Sequence, residues 1–456
     1  LSFFKELNKR LNRKVDIFNT TIYRGLFNLA WPIVLTNLLQ TIYNVTDAYF
    51  LGKLGKLEFS APTVTFPIIF IFISLALGFS HAATSMVAQY TGMKNKEMAE
   101  KSAAQVIITV LVIAVLIMVF GYILSDEILS LMNISDELFD TALSYLRIMI
   151  FAIPFIFFRE LLSSIFRGWG NSVIALKMMF FAVVLNIILD PLLIFVFGMG
   201  VEGAATATLI ARGSVTLYFV YVLSTGKIGF TVHLKDFVPD FKMIKKVISI
   251  GLPGSIGQSV TAVGFSFIMG VVSRFGTTVI STYGVGQRVL SMVTMFAIGM
   301  SLATATMTGQ FVGADKPEKA EETVKKASLL TFSIILGIST LLFFFGQYVT
   351  KFFVNEPDVI ETGKVFFQLV SMSLPFFGTM AVFQGALRGT GHTVQATTAD
   401  LIRLWGVRIP LVMLMANVLG YRGIFYAMII SNISAMIIAF LFLRFGNWKE
   451  RVVEKP

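Results

Sequence analysis

Phe166-Arg167-Gly168-Trp169-Gly170 returns 221 positions later as Leu387-Arg388-Gly389-Thr390-Gly391, with the arginine and both glycines in register. Other unlike residues keep the same offset: Pro32 with Pro253, Gln89 with Gln310, Gly92 with Gly313, and Pro154 with Pro375. A single match would be chance, whereas several residue types in one register mark an internal duplication. The two copies are divided by the longest and most charged connection, Thr225 to Lys246.

Each copy reads as six membrane-length helices. The chain of 456 residues is 56% hydrophobic and 14% charged, with a mean hydropathy of +0.79, which places it in the polytopic membrane class. Apolar segments run over 25–51, 60–89, 102–124, 138–165, 173–197 and 203–224, then over 247–272, 277–310, 327–346, 359–387, 393–419 and 423–445. Each approaches or exceeds the ~20 residues that cross a bilayer core. The fold expected is all-α and polytopic, with twelve transmembrane helices as two six-helix repeats. Six is even, so the second copy enters the membrane in the same orientation as the first, and the repeats are parallel.

Charge sets the topology. Lys94, Lys96 and Lys101 follow the second segment, Arg167 and Lys177 the fourth, and Lys227, Lys235, Lys242, Lys245 and Lys246 the sixth. The connection Ser125 to Asp140 after the third carries neither Lys nor Arg. The positive-inside rule then makes both termini cytoplasmic, in the cell membrane. The expected organisation is an amphipathic segment over 1–24, a first lobe over 25–225, a cytoplasmic linker over 226–246, a second lobe over 247–446 and a tail over 447–456. Phe3, Phe4, Leu7 and Leu11 among Lys5, Lys9, Arg10 and Arg13 read as a helix lying on an anionic membrane face.

The absence of cysteine excludes disulfides and thiolate metal sites, and three histidines far apart exclude a histidine-rich centre. The net charge of +11 belongs to loops facing one side of the membrane, so no nucleic-acid partner is expected. No GxxxxGK[ST] loop is present, which removes the motif for direct ATP use.

Function should lie where the copies differ. Asp47 corresponds to Ile268, Asn186 to Val407 and Asp190 to Leu411, so an acidic pair exists in the first copy alone. Asp47 ends the stripe Gln40-Thr41-Ile42-Tyr43-Asn44-Val45-Thr46-Asp47, in which Gln40, Tyr43, Asn44 and Asp47 fall on one helical face. An aspartate at mid-membrane costs roughly 2.5 to 3.5 kcal/mol on insertion scales. A coupling site and a satisfied structural polar cluster are the two readings of such a stripe.

Asn186 and Asp190 share a face of the fifth segment, and Pro191 should kink it. Thr208 of the sixth lies at matching depth. Two close carboxylates with amide and hydroxyl neighbours suit a proton or a hard cation, and Na+ at Asp47, Asn186, Asp190 and Thr208 is the candidate metal site. Arg212, one turn beyond Thr208, is a candidate counter-ion for Asp190. In the second copy Asp400 and Arg403 are expected to neutralise each other, leaving Arg288 and Arg408 to face an anionic group.

Ala30-Trp31-Pro32, Asp47, Gln89-Tyr90-Thr91-Gly92 and Phe166-Arg167-Gly168-Trp169-Gly170, set in two parallel six-helix repeats, resemble the multidrug and toxic compound extrusion (MATE) family over essentially the whole chain. The paired Asp47 and Asp190 resemble its branch named after the DNA-damage-inducible protein F, in the archaeal type. The resemblance implies a V-shaped monomeric antiporter, not an enzyme, that expels cationic or amphipathic drugs against H+ or Na+ with no other cofactor. It implies coupling-ion roles for Asp47, Asn186, Asp190 and Thr208, and places Gln40, Tyr43, Asn44 and Tyr145 at the drug cleft. It also implies that Pro32 is a hinge that bends the first helix when Asp47 is protonated. The alternative is a flippase for a lipid-linked or anionic substrate, motivated by Arg288, Arg403 and Arg408. A second-lobe cation site is not expected, since Gln258 and an acid-free 365–386 stand where the other bacterial branch carries acids.

Overall fold

The computed structural model describes residues 14–132 and 134–454. Most of the expected surface helix over 1–24, including Phe3, Phe4, Leu7 and Leu11, lies outside the described residues. The first repeat contains α1 (Ile22–Leu54), α2 (Lys56–Gly92), α3 (Lys96–Ile123), α4 (Asp136–Trp169), α5 (Ser172–Val196) and α6 (Gly200–Ser224). The second contains α7 (Phe241–Val272), α8 (Gly276–Gly313), α9 (Pro317–Phe353), α10 (Pro357–Gly389), α11 (Thr393–Leu419) and α12 (Tyr421–Phe445). Eleven helical runs among the described residues are long and apolar enough to cross a membrane. The 73-residue run Phe241–Gly313 is two helices, α7 and α8, joined by a 3-10 turn at Ser273–Phe275 and by Gly276 at φ 84.

The duplication is repeated in the backbone. Gly170 and Gly391 both take positive φ, 98 and 87, and so do the non-glycine residues Lys94 and Asp315, at 60 and 56. Both pairs carry the 221-residue offset. A Cβ on Gly168 would stand 2.9 Å from the Thr84 carbonyl oxygen, and one on Gly389 would stand 2.1 Å from that of Ala305. The same glycine therefore lets α4 close on α2 and α10 close on α8. Residues 82–92 of α2 are all buried, as are 303–313 of α8, so each unit is built around its second helix.

Outer faces are apolar and uncovered. Val112, Leu116 and Phe120 of α3 are 53%, 49% and 58% exposed, a face that only lipid can satisfy. Breaks in the helices follow proline chemistry: α5 is α-helical to Pro191 and continues as a π turn over Leu192–Val196, with Phe197 N–H bonded to the Leu192 carbonyl at 2.9 Å.

By packing, one compact unit holds Trp31–Ser255 and the other holds Asp16–Ala30 with Ile256 onward. The exchange points therefore lie inside α1 and α7, beside Pro32 and Pro253. Within the second unit, Phe18 meets the Phe311 ring at 5.5 Å and Gly25 faces the Met307 thioether. Within the first, Ser255 Oγ donates to the Leu75 carbonyl at 2.8 Å, and Gly251 lies under Phe79. Hydropathy does not register such packing.

The linker is shorter than its composition suggests. α7 starts at Phe241, capped by Asp240, whose Oδ1 accepts the Met243 N–H at 3.1 Å. Upstream, Gln105 of α3 donates to the carbonyls of Asp236 and Val238 and accepts the Asp240 N–H, which docks the linker on the first unit.

Candidate functional site

Three helices of the first unit each contribute two polar side chains one turn apart: Tyr43 and Asp47 from α1, Asn186 and Asp190 from α5, Thr208 and Arg212 from α6. They meet. Asn186 Nδ2 donates to Asp190 Oδ1 at 2.9 Å, and the Tyr43 hydroxyl donates to Thr208 Oγ1 at 3.0 Å. Asp190, Asn186, Thr208 and Arg212 are the polar groups that act on the Asp47 carboxyl. Asn186 and Asp190 are fully buried, Thr208 is 2% exposed and Tyr43 is 1% exposed.

The pocket contains more acceptors than donors. Asp47 Oδ1, Asp190 Oδ2 and Asn186 Oδ1 are all shielded from solvent, and none receives a hydrogen bond from a protein group. Buried acceptors left in this state are costly, and two facing carboxylates attract each other only through a shared proton or cation. A hard monovalent cation is satisfied by oxygen ligands alone, and carboxylate, amide and hydroxyl oxygens are what these residues present.

Arg212 forms no ion pair with Asp190. Its guanidinium lies 5.0 Å from the Tyr43 ring centroid, within electrostatic reach of Asp47. Below it Tyr43 packs with Met179 and Val183 of α5, and Met179 Sδ is 4.0 Å from an Arg159 nitrogen. Arg159 and Arg167 of α4 both contact Glu160, at 3.3 and 3.2 Å. The first unit thus places three arginines and a third acid beneath its aspartates. Sequence reasoning passed over Arg159 and Glu160, because adjacent opposite charges cancel in a hydropathy window and do not share a helical face. Two ionisable residues in mid-span were the available signal.

The remaining expected residues are spread around this pocket. Tyr145 of α4 is 7% exposed, with Asp47, Tyr43, Arg212 and Asp190 as the ionisable groups that act on it. Gln40 donates to Asn44 Oδ1 at 2.9 Å on the neighbouring flank of α1, where Asn44 is exposed and Gln40 half-buried. The stripe therefore divides into an inner edge of buried Tyr43 and half-buried Asp47, whose Oδ1 is shielded, and an outer edge of Gln40 and Asn44. Pro32 is buried, and its carbonyl accepts the Thr36 hydroxyl at 2.7 Å.

In the second unit Arg388, Arg403 and Arg408 are held by protein groups. Asp400 bridges Arg388 and Arg403 at 2.9 and 3.3 Å, and Arg408 donates to Ser431 Oγ and Asn432 Oδ1 at 2.7 and 2.6 Å. Arg288 is exposed. Ile268, at the position equivalent to Asp47, is 1% exposed within an apolar cluster.

A family model described as MatE matches residues 32–192 and again 253–414, two stretches separated by the offset of the repeat. The chain is 29% identical over 439 residues to the probable multidrug resistance protein YpnP of Bacillus subtilis (strain 168), covering 95% of this chain and 97% of that protein. It is 24% identical over 429 residues to the multidrug export protein MepA of Staphylococcus aureus (strain MSSA476), covering 92% and 94%. Among solved structures, MATE in the bent conformation superposes with a TM-score of 0.88 over 96% of this chain and 97% of that one, at 24% identity, a likeness of fold.

Proposed function

The chain belongs to the MatE family of membrane transporters, and from that premise we propose that it is a secondary multidrug exporter, coupled to H+ or Na+ through its first repeat. The observation that carries this reading is the trio of buried, donor-less oxygens on Asp47, Asn186 and Asp190. With both acids ionised the pocket needs one cation, and a proton or Na+ serves. With that cation removed, the pocket attracts a cationic or amphipathic drug beside Tyr43, Tyr145, Gln40 and Asn44. Coupling then follows from competition: ion and drug exclude each other, and each favours a different facing of the transporter. Relatives named for multidrug resistance and export support the substrate class.

Pro32 supplies the place to bend. It has no N–H for the Asn28 carbonyl, so α1 can change direction close to where it enters this unit and carry Asp47 with it. The basic loops put both termini in the cytoplasm of a multi-pass cell-membrane protein, which we take to act as a monomer. The flippase alternative rests on Arg288, Arg403 and Arg408. Two of these are held by Asp400, Ser431 and Asn432, which weighs against it.

The test is drug efflux in everted vesicles, with the sodium gradient and the pH gradient imposed separately. One gradient is expected to drive export, and Asp47→Asn to abolish it with insertion intact. Normal coupled efflux in that variant would overturn the assignment.

A further inference from the structure

The first unit has a second concavity, a cleft of about 740 Å³ bounded by α1, α5 and α6. Its lining is mostly apolar, with Leu35, Leu38 and Phe181 among the hydrocarbon side chains and Trp31 and Tyr218 among the aromatic ones. Leu38 and Phe181 are 47% and 52% exposed, so the cleft is open on the outside of the unit. Lys177 and Lys227 also line it, and no carboxylate does.

The placement of the two lysines is specific. Lys177 is the sixth residue of α5, about 8 Å along the helix from its start at 1.5 Å per residue. Lys227 follows the end of α6 and stacks on Tyr221 at 4.8 Å. α1 and α5 begin, and α6 ends, on one membrane face, because each helix between them crosses once. Lysine stems that run along apolar surface and place ammonium groups at headgroup level, beside Trp and Tyr, are the signature of an interface. Lys177 already has a contact within the protein, and three N–H donors leave it able to hold a phosphate oxygen as well.

We propose that this cleft binds an anionic phospholipid of the leaflet on the N-terminal side, its phosphate on Lys177 and Lys227 and one acyl chain along Leu35, Leu38 and Phe181. Charge selects the occupant. A cationic drug would meet two ammonium groups and no counter-charge, and a choline headgroup would bring a third cation to the same rim. Bound there, the lipid touches α1 at Leu35, the first turn after Pro32, and braces the segment that carries Asp47. The binding does not depend on the transport reading; only this consequence does.

The experiment uses the full chain in detergent micelles, titrated with phosphatidylglycerol or phosphatidylcholine carrying brominated acyl chains. Quenching of Trp31 fluorescence is isolated by subtracting the Trp31→Phe variant. Phosphatidylglycerol is expected to half-saturate quenching at least about fivefold lower than phosphatidylcholine, the scale of one lysine acting on an anionic headgroup. Lys177→Gln with Lys227→Gln should bring the two lipids together, while Lys177→Arg with Lys227→Arg retains the preference. Should the double glutamine variant not fold, Lys227→Gln alone, at an exposed loop position, must still reduce the preference. Equal quenching by both lipids in the parent protein would overturn the proposal. So would a preference that survives loss of the lysines, or stronger displacement of either lipid by tetraphenylphosphonium than by unbrominated phosphatidylglycerol, which would make the cleft a drug site.

Discussion

The pocket around Asp47 and its counterpart in the second repeat occupy the same place in two copies of one scaffold, yet one is polar and the other is filled with hydrocarbon. Tyr43, Asp47, Tyr145 and Asp190 correspond to Gly264, Ile268, Phe366 and Leu411. Ile268 and Phe366 are buried in one cluster, with Leu411 packed against it. Gly264 admits Leu404 where a Cβ would stand 2.4 Å from its Cδ2, and Phe366 meets Phe425 edge-on at 5.0 Å. The scaffold itself does not require a charge at this depth, so the acids of the first copy cost stability that the second copy keeps. That difference is the physical argument for function in the first repeat.

A second contrast concerns the repeated arginine. Arg167 finds its acid on its own helix, at Glu160, whereas Arg388 finds it on the next one, at Asp400 of α11. Asp400 corresponds to Met179, which faces Arg159 in the first copy. Moving the acid from α11 to α4 leaves α5 without a carboxylate at that level, and there it packs Tyr43 through Met179 and Val183.

The strongest way to break the first contrast is to make the copies alike. Asp47→Ile with Asp190→Leu, the residues of the second repeat, should lower coupled efflux on the order of a hundredfold or more while the protein folds at least as well, since a buried polar cluster is replaced by apolar groups. Retained gradient-driven efflux would show that the acids are structural. Next in size, Asp400→Asn leaves buried Arg403 and half-buried Arg388 without a carboxylate and should cost about 3 kcal/mol, read as a fall in the thermal unfolding midpoint in detergent. Glu160→Gln should cost a similar amount if the two arrangements are equivalent; a neutral result would mean that Arg159 and Arg167 have other support.

Smaller effects test the scaffold. Gly168→Ala and Gly389→Ala should each destabilise by about 1 to 3 kcal/mol, with Gly389 the worse because its added carbon comes within 2.1 Å of a carbonyl oxygen, against 2.9 Å. Equal unfolding midpoints would deny that the second copy is the tighter. The smallest effect concerns helix starts: α1 has Thr21 accepting from Arg24 N–H at 3.4 Å, whereas α7 has Asp240 accepting from Met243. Asp240→Ala should cost about 1 kcal/mol.

Lys101, hydrogen-bonded to Asp240 at 2.7 Å, together with the Met243 N–H, holds that carboxyl below its ordinary range. Its contribution is thus complete above the unfolded value of about 3.9 and is lost as pH falls through the lowered one. Hydrogen exchange at the start of α7 should separate parent and variant at neutral pH and converge in acid. A penalty independent of pH would exclude the ionised cap.

Much of this was legible in order of residues. Hydropathy runs of membrane length, a fixed 221-residue register and charged loops on alternate turns follow from the bilayer as solvent, which imposes length and composition on each helix before any helix meets another. The acids were legible for the same reason, since a carboxylate in such a run demands explanation. What remained was decided by rotation and contact. Only packing tells that Asp47, Asn186, Asp190 and Thr208 share one pocket, that Arg212 turns to Tyr43, and that Asn44 stands outside with Gln40. Only packing assigns Asp16–Ala30 to one unit and the rest of α1 to the other. A sequence pattern carries the period of a helix but not its angle about its own axis relative to its neighbours, and that angle is set by interlocking side chains from segments more than a hundred residues apart.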